Sequence, residues 1–155
     1  MTRQRRTIGA VVEINLLNGY YGYGRIVGDA SFAIYDLYIP HPLTNLEQII
    51  ERPILFIVAV YDDAVTSGRW RKVGSAPLPA MLRTLPLKFI QDALKPESFS
   101  LYDPNTGEIT PATKETCKGL ERASVWEAEH VEERIRDHYA HRPNQYRQED
   151  VAVFE

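Results

Sequence analysis

Apolar and polar positions alternate through the first half of the chain in the short runs expected of half-buried strands. Ile8 to Leu17 is apolar and rich in β-branched residues, with Glu13 and Asn15 as polar interruptions. Asn18-Gly19 follows and predicts a two-residue type I′ hairpin turn, because both residue types tolerate the positive φ angles it needs. Tyr20 to Val27 then returns with Tyr21, Tyr23 and Arg25 on one face and Gly22, Gly24 and Ile26 on the other. Two glycines so close weaken a strand unless tight coiling or a large side chain over the bare backbone requires them. Gly28-Asp29 marks the next turn, and Ser31 to Ile39 the third strand, which Pro40 and Pro42 end.

Thr44 to Glu51 is a polar connector with room for one helical turn, Thr44 and Glu47 standing at capping-box spacing. Ile54 to Tyr61 has the composition of a buried strand, ended by Asp62-Asp63. Arg69 to Val73, with Trp70, is the fifth strand. Pro77, Pro79 and Pro86 make Ser75 to Pro86 irregular, and Leu87 to Leu94 fits strand or helix equally. Asp103-Pro104-Asn105-Thr106-Gly107 is a turn between Ser98–Tyr102 and Glu108–Thr110, which predicts a peripheral hairpin. The last quarter changes period. Ser124 and Glu127 have capping-box spacing, and Val125, Ala128, Val131 and Ile135 recur on one helical face beside Trp126. Glu132 and Arg136 stand i,i+4 on that helix, and Pro143 limits its extension.

The fold class read from this pattern is α+β, mainly β: a small antiparallel β-barrel or strongly curved sheet over 8–74, with an amphipathic helix over Ser124–His138 packed on it. Both tryptophans are expected to be buried. The 155 residues fit one domain, with a core over about 8–140 and loose termini at 1–7 and 144–155.

Composition narrows the function. The single cysteine, Cys117, excludes an internal disulfide, and its polar neighbours predict exposure. The longest apolar run, Ile54 to Tyr61, falls far short of the ~20 residues of a membrane helix. No apolar signal core follows the basic N-terminus, so a cytosolic protein is expected. The net charge of −3 argues against a nucleic-acid binder. Gly22-Tyr23-Gly24 is not followed by a helix N-terminus, so it is no phosphate loop. His138 and His141 share a face but lack further ligands at metal-site spacing. No nucleophile–base pair, paired carboxylates or cofactor fingerprint is legible, so neither catalysis nor a cofactor is expected, and a binding protein is preferred. Its candidate contact residues are Tyr20, Tyr21, Tyr23, Arg25, Asp62 and Asp63. Tyrosine buries apolar area while offering a hydroxyl, and the aspartate pair suits a basic partner.

In order along the chain, Ile8-Gly9 leading into Val12–Leu16, Gly19-Tyr20-Tyr21-Gly22-Tyr23-Gly24-Arg25-Ile26 and Phe32–Leu37 resemble the immunity protein 26 family. Pro53-Ile54-Leu55-Phe56, Gly68-Arg69-Trp70, Val73-Gly74 and Pro77-Leu78 continue the pattern, and Ala123, Trp126, His130-Val131 and Arg134-Ile135 resemble its closing helix. The likeness covers roughly 8–90 and 119–136; nothing in 92–117 carries it. It implies a bacterial antidote that binds its cognate toxin and occludes it, with no chemistry of its own. Two other classes stay open at this point: a small-barrel adaptor or accessory protein of a phage or secretion system, and an enzyme or small-ligand-binding barrel.

Overall fold

The computed structural model describes residues 2–155. The alternating first half folds as four consecutive antiparallel neighbours: β1 (Ala10–Asn15), β2 (Tyr21–Ile26), β3 (Ser31–Tyr35) and β4 (Ile54–Val60). β5 (Arg71–Ser75) pairs back on the other side of β1. A second antiparallel sheet holds β6 (Lys88–Gln91), β7 (Phe99–Tyr102) and β8 (Ile109–Ala112), so the ambiguous 87–94 stretch resolves as strand and the expected hairpin forms beside it. β9 (Val125–Trp126) returns to the first sheet, parallel to β4, and completes the order β5-β1-β2-β3-β4-β9. Its outer strands β5 and β9 do not pair, so no closed barrel exists among the described residues. The apolar face is covered by a helix instead of by the sheet closing on itself.

Two turns differ from expectation. Between β1 and β2 the loop runs over Leu16–Tyr20, closed by Leu16 N–H donating to the Tyr20 carbonyl, with positive φ at Leu17 and Gly19 instead of Asn18-Gly19. The turn with two successive positive φ angles is Asp29 (49°) and Ala30 (58°), spanned by Ser31 N–H to the Gly28 carbonyl. Two successive positive φ angles are what a type I′ turn requires.

The glycines of β2 have their reason in packing. A Cβ on Gly24 would lie 3.2 Å from Ile34 Cδ1 and 3.4 Å from Val12 Cγ2, both on neighbouring strands. Gly22 faces Ile135, which sits on α5 (Ala128–Tyr139). That helix lays Ala128, Val131 and Ile135 on the face formed by Val12, Ile14, Ile26, Phe32, Ile34, Val58 and Val60. Each aliphatic side chain so buried contributes roughly 1.5–3 kcal/mol. Trp70, with no exposed surface, meets the Phe32 ring edge-on at 5.2 Å, and Trp126 is 6% exposed. Both tryptophans are buried as expected, although Trp126 belongs to β9. The helix therefore starts later than the Ser124–Glu127 spacing predicts, and its N-cap, Glu127, makes no side-chain cap.

The opposite face is also covered. α1 (Glu47–Ile50) brings Ile49 and Ile50 over Val11, Tyr23 and Tyr35, while Leu82 of α3 (Ala80–Arg83) and Leu85 cover Val27 and Ala33. Between them in sequence comes α2 (Asp63–Thr66), which follows β4 and packs Ala64 and Val65 on the α5 side of the sheet with Trp70.

Both termini, expected to be loose, make contacts. Gln4 donates to the Val65 and Trp70 carbonyls at 2.9 and 2.8 Å and accepts from Lys72 N–H at 2.8 Å. Arg6 donates to the carbonyls of Val27 and Ser31, both at 2.8 Å. The C-terminal stretch forms α6 (Gln145–Ala152), capped by Asn144, whose side chain accepts from Arg147 N–H. Beyond it Phe154 packs 4.9 Å from Phe89, in the small sheet's own core with Phe99 and Cys117. Cys117, at the end of α4 (Lys114–Cys117), is fully buried, which corrects its expected exposure. Its polar sequence neighbours point outward while the thiol faces the sheet.

Candidate partner interface

The six candidate contact residues fall into three environments. Tyr23 and Arg25 are buried, at 0% and 1% exposure, which removes them from any contact surface. Arg25 ties four segments together: it donates to the Gly9 carbonyl at 2.8 Å, the Tyr35 hydroxyl at 3.0 Å, and the Ala76 and Pro77 carbonyls at 2.8 and 3.0 Å. The Tyr23 hydroxyl donates to Glu13 at 3.0 Å and accepts from Leu43 N–H at 2.8 Å. Burial pushes that phenol up to about 12. Alternation placed these two side chains on the correct face; the α1 segment and the 76–85 crossing, which pack over that face, have no local signature in β2.

Tyr20 and Tyr21 are half-buried. Tyr20 stacks on Tyr38 at 4.2 Å, and Tyr38 stacks on Tyr139 at 4.4 Å, so three rings from the β1–β2 loop, the β3–α1 connection and α5 form one column. Asn18 donates to the Tyr38 hydroxyl at 2.9 Å, and the Tyr139 hydroxyl donates to Asp36. Leu17, 71% exposed, stands at the tip of the adjoining loop.

Asp62 and Asp63 are exposed where β4 passes into α2. Tyr61 N–H donates to the Trp126 carbonyl at 3.1 Å, which sets this corner against the start of α5. Asp63, Arg69, Glu127 and Glu129 therefore line one shallow depression of about 160 Å³. Arg69 is already occupied. Its guanidinium donates twice to the buried Glu132, at 2.8 Å each, and that hydrogen bonding, ahead of the opposing desolvation, raises its pKa. Glu132 also accepts from Trp70 Nε1 at 2.9 Å. Its expected i,i+4 pairing with Arg136 is replaced, and Arg136 donates instead to the Leu16 carbonyl at 2.9 Å. Arg6 lies 3.6 Å from Asp62 without a close hydrogen bond. The result is an acidic corner of Asp62, Asp63, Glu127 and Glu129.

The acidic corner and the tyrosine column stand at opposite ends of α5. Twelve residues at 1.5 Å each separate them by about 18 Å. Tyr20 and Tyr21 thus do not join Asp62 and Asp63 in one patch.

Among the described residues no group of three or more His, Cys, Asp or Glu side chains is placed to hold a metal ion, and no helix is long and apolar enough to cross a membrane. His130 stacks on Tyr146 at 4.0 Å, and His138 meets Tyr139 edge-on.

A family model described as Immunity protein 26 matches residues 7–100. The chain belongs to the Immunity protein 26 family. No curated protein and no solved structure matches it. The Immunity protein 26 match spans β1 to β6 and reaches the start of β7, so it includes Tyr20, Tyr21, Asp62 and Asp63. Glu127 and Glu129, the other half of the acidic corner, lie outside it, as does the closing helix that carried part of the resemblance. A protein toxin is the general kind of partner that membership in this family implies.

Sequence reasoning missed Lys88, which the structure buries, and Glu121, which binds Arg134 through two hydrogen bonds at 3.0 and 2.8 Å. Lys88 did carry a signal, since it alternates with apolar residues in Leu87-Lys88-Phe89-Ile90.

Proposed function

We propose that this protein neutralises a cognate bacterial toxin in the cytosol by binding and covering it, without catalysis of its own. Membership of the Immunity protein 26 family is the observation that carries this reading. The exposed carboxylates of Asp62, Asp63, Glu127 and Glu129 support an acidic contact surface facing a basic toxin domain. Tyr61, 49% exposed beside them, adds an aromatic anchor of the kind enriched at interface centres. Long-range attraction of this sort raises the association rate and is screened by salt, because the Debye length falls from ~10 Å at 0.1 M to ~3 Å at 1 M.

The test begins with co-purification from the native host to identify the toxin, followed by co-expression and association kinetics. Co-expression should restore growth to cells making the toxin. The association rate should fall with salt, and Asp62→Lys/Asp63→Lys should slow it at low salt. Failure to bind or protect against the co-purified toxin would reject the function. A salt-independent rate would reject only the electrostatic contact surface.

A further inference from the structure

Lys88 lies between the two sheets. On β6 the Phe89 ring faces the small sheet's own core with Phe99 and Cys117, so Lys88 and Ile90 face the other way. Lys88 is opposite Tyr102 on β7, and Tyr102 is opposite Ile109 on β8. These side chains form one wall of a cleft of about 360 Å³, whose other wall comes from Asp29, Ala30, Ala59 and the Ala123–Val125 segment.

The lysine is 3% exposed and lines the cleft, and among the described residues its ammonium, which is not wholly sealed from solvent, makes no hydrogen bond or close ion pair. Asp29 is near enough for its charge to be felt, but its carboxylate is turned to the Tyr102 hydroxyl, which donates to it at 3.1 Å. Burial lowers the Lys88 pKa, and Asp29 and Glu121 oppose that shift from a distance. An ammonium held almost out of water gains from an acceptor brought to it. Aliphatic surface surrounds it, from Ala30, Ala59, Ile90, Ile109 and Val125. The cleft thus suits an anionic acceptor on a short apolar stem, and Asp29 disfavours a doubly charged one.

We propose that this cleft receives the side-chain carboxylate of a glutamate from the protein partner, with Lys88 as its ion-pair donor. The assignment to a protein side chain rests on the toxin-binding reading above. Glutamate fits better than aspartate because its additional methylene lies against the aliphatic walls.

The full chain, labelled with ¹⁵N, is titrated by NMR with acetyl-Ala-Glu-Ala-amide, with the Gln counterpart, and with butyrate. The Glu peptide should give saturable shifts at Lys88, Tyr102 and Val125, and the Gln peptide should bind at least about tenfold more weakly, the value of a charge-assisted bond. Lys88→Met should abolish the Glu response. Val125→Trp, at a half-exposed edge position, should narrow the mouth and weaken binding with the lysine in place. Equal binding of the Glu and Gln peptides, binding retained in Lys88→Met, or no saturable shift in the cleft would overturn the site. Butyrate binding more tightly than the Glu peptide would overturn its assignment to a side chain. The toxin enters none of these titrations, so their failure is distinguishable from a failure of toxin neutralisation.

Discussion

Glu132→Ala should destabilise this protein more than an ordinary helix-surface change would. Glu132 is 2% exposed and accepts three hydrogen bonds, two from Arg69 at 2.8 Å and one from Trp70 Nε1 at 2.9 Å. Removing the carboxylate strands the indole N–H of a residue with no exposed surface, and a buried unsatisfied donor costs ~1–3 kcal/mol. Breaking a buried ion pair costs ~3–5 kcal/mol. The Arg69 side chain keeps 35% exposure, so water recovers part of its solvation and the lower end of that range applies. The two figures describe one broken cluster and are not added, which leaves about 3 kcal/mol. With a urea m-value of ~1–3 kcal/mol/M, the unfolding midpoint should fall by about 1 M or more. Arg69→Met in the Glu132→Ala background should add little, because the pair it breaks is already gone. A midpoint within about 0.3 M of wild type, on an m-value near ~2 kcal/mol/M, would refute the claim that the Glu132 hydrogen bonds to Arg69 and Trp70 stabilise the fold.

Gly24→Ala should lower the thermal midpoint while Gly22→Ala leaves it near wild type. The added methyl meets Ile34 at 3.2 Å in the first case and Ile135 at 3.8 Å in the second, and the reverse ranking would reject the packing argument. Lys88→Met should be more stable than wild type at neutral pH, with an advantage that shrinks as pH rises towards 10.5, the ordinary lysine value. The lowered folded pKa means the native state releases this proton before the unfolded state does, so wild-type stability rises across that window; a stability difference that stays constant in paired urea titrations would count against it. The Cys117 thiol, buried and with its pKa raised by that burial, should react with a thiol reagent only on unfolding; rapid labelling of the native protein would show that the small sheet opens.

Local pattern and tertiary partnership were not equally legible in the sequence. Alternation placed Tyr23 and Arg25 on one face and Gly22 and Gly24 on the other, because side-chain direction in a strand follows from position alone. It did not reveal that Leu43 and Ala76 would close over that face, since those contacts arrive from distant segments. The same limit explains Glu132, whose neighbour in sequence is Arg136 but whose partner in space is Arg69. Asn18-Gly19 had the stronger turn chemistry, yet Asp29-Ala30 adopts the paired positive φ angles. For the candidate interface, Asp62 and Asp63 were legible as a pair, whereas their approach to Glu127 and Glu129 depends on how β9 enters the sheet. The stretch that forms α6 was read as a loose tail because Pro143 ends the helix before it, although Phe154 packs into the small sheet's core with Phe89 and Phe99.

The stretch from Glu121 to Trp126 pairs with both sheets. Phe89 exchanges backbone hydrogen bonds with Glu121 and Ala123, and Val125 and Trp126 run beside Ala59 and Val60. The family match stops at residue 100, before this seam. A fragment cut to the matched length would leave Ile54–Val60, an uninterrupted apolar strand, as an uncovered edge. Such an edge is a template for intermolecular pairing. The end of the family match is therefore a poor boundary for expression: trimmed there, the chain should associate through β4, and the shortest soluble piece should extend at least through α5.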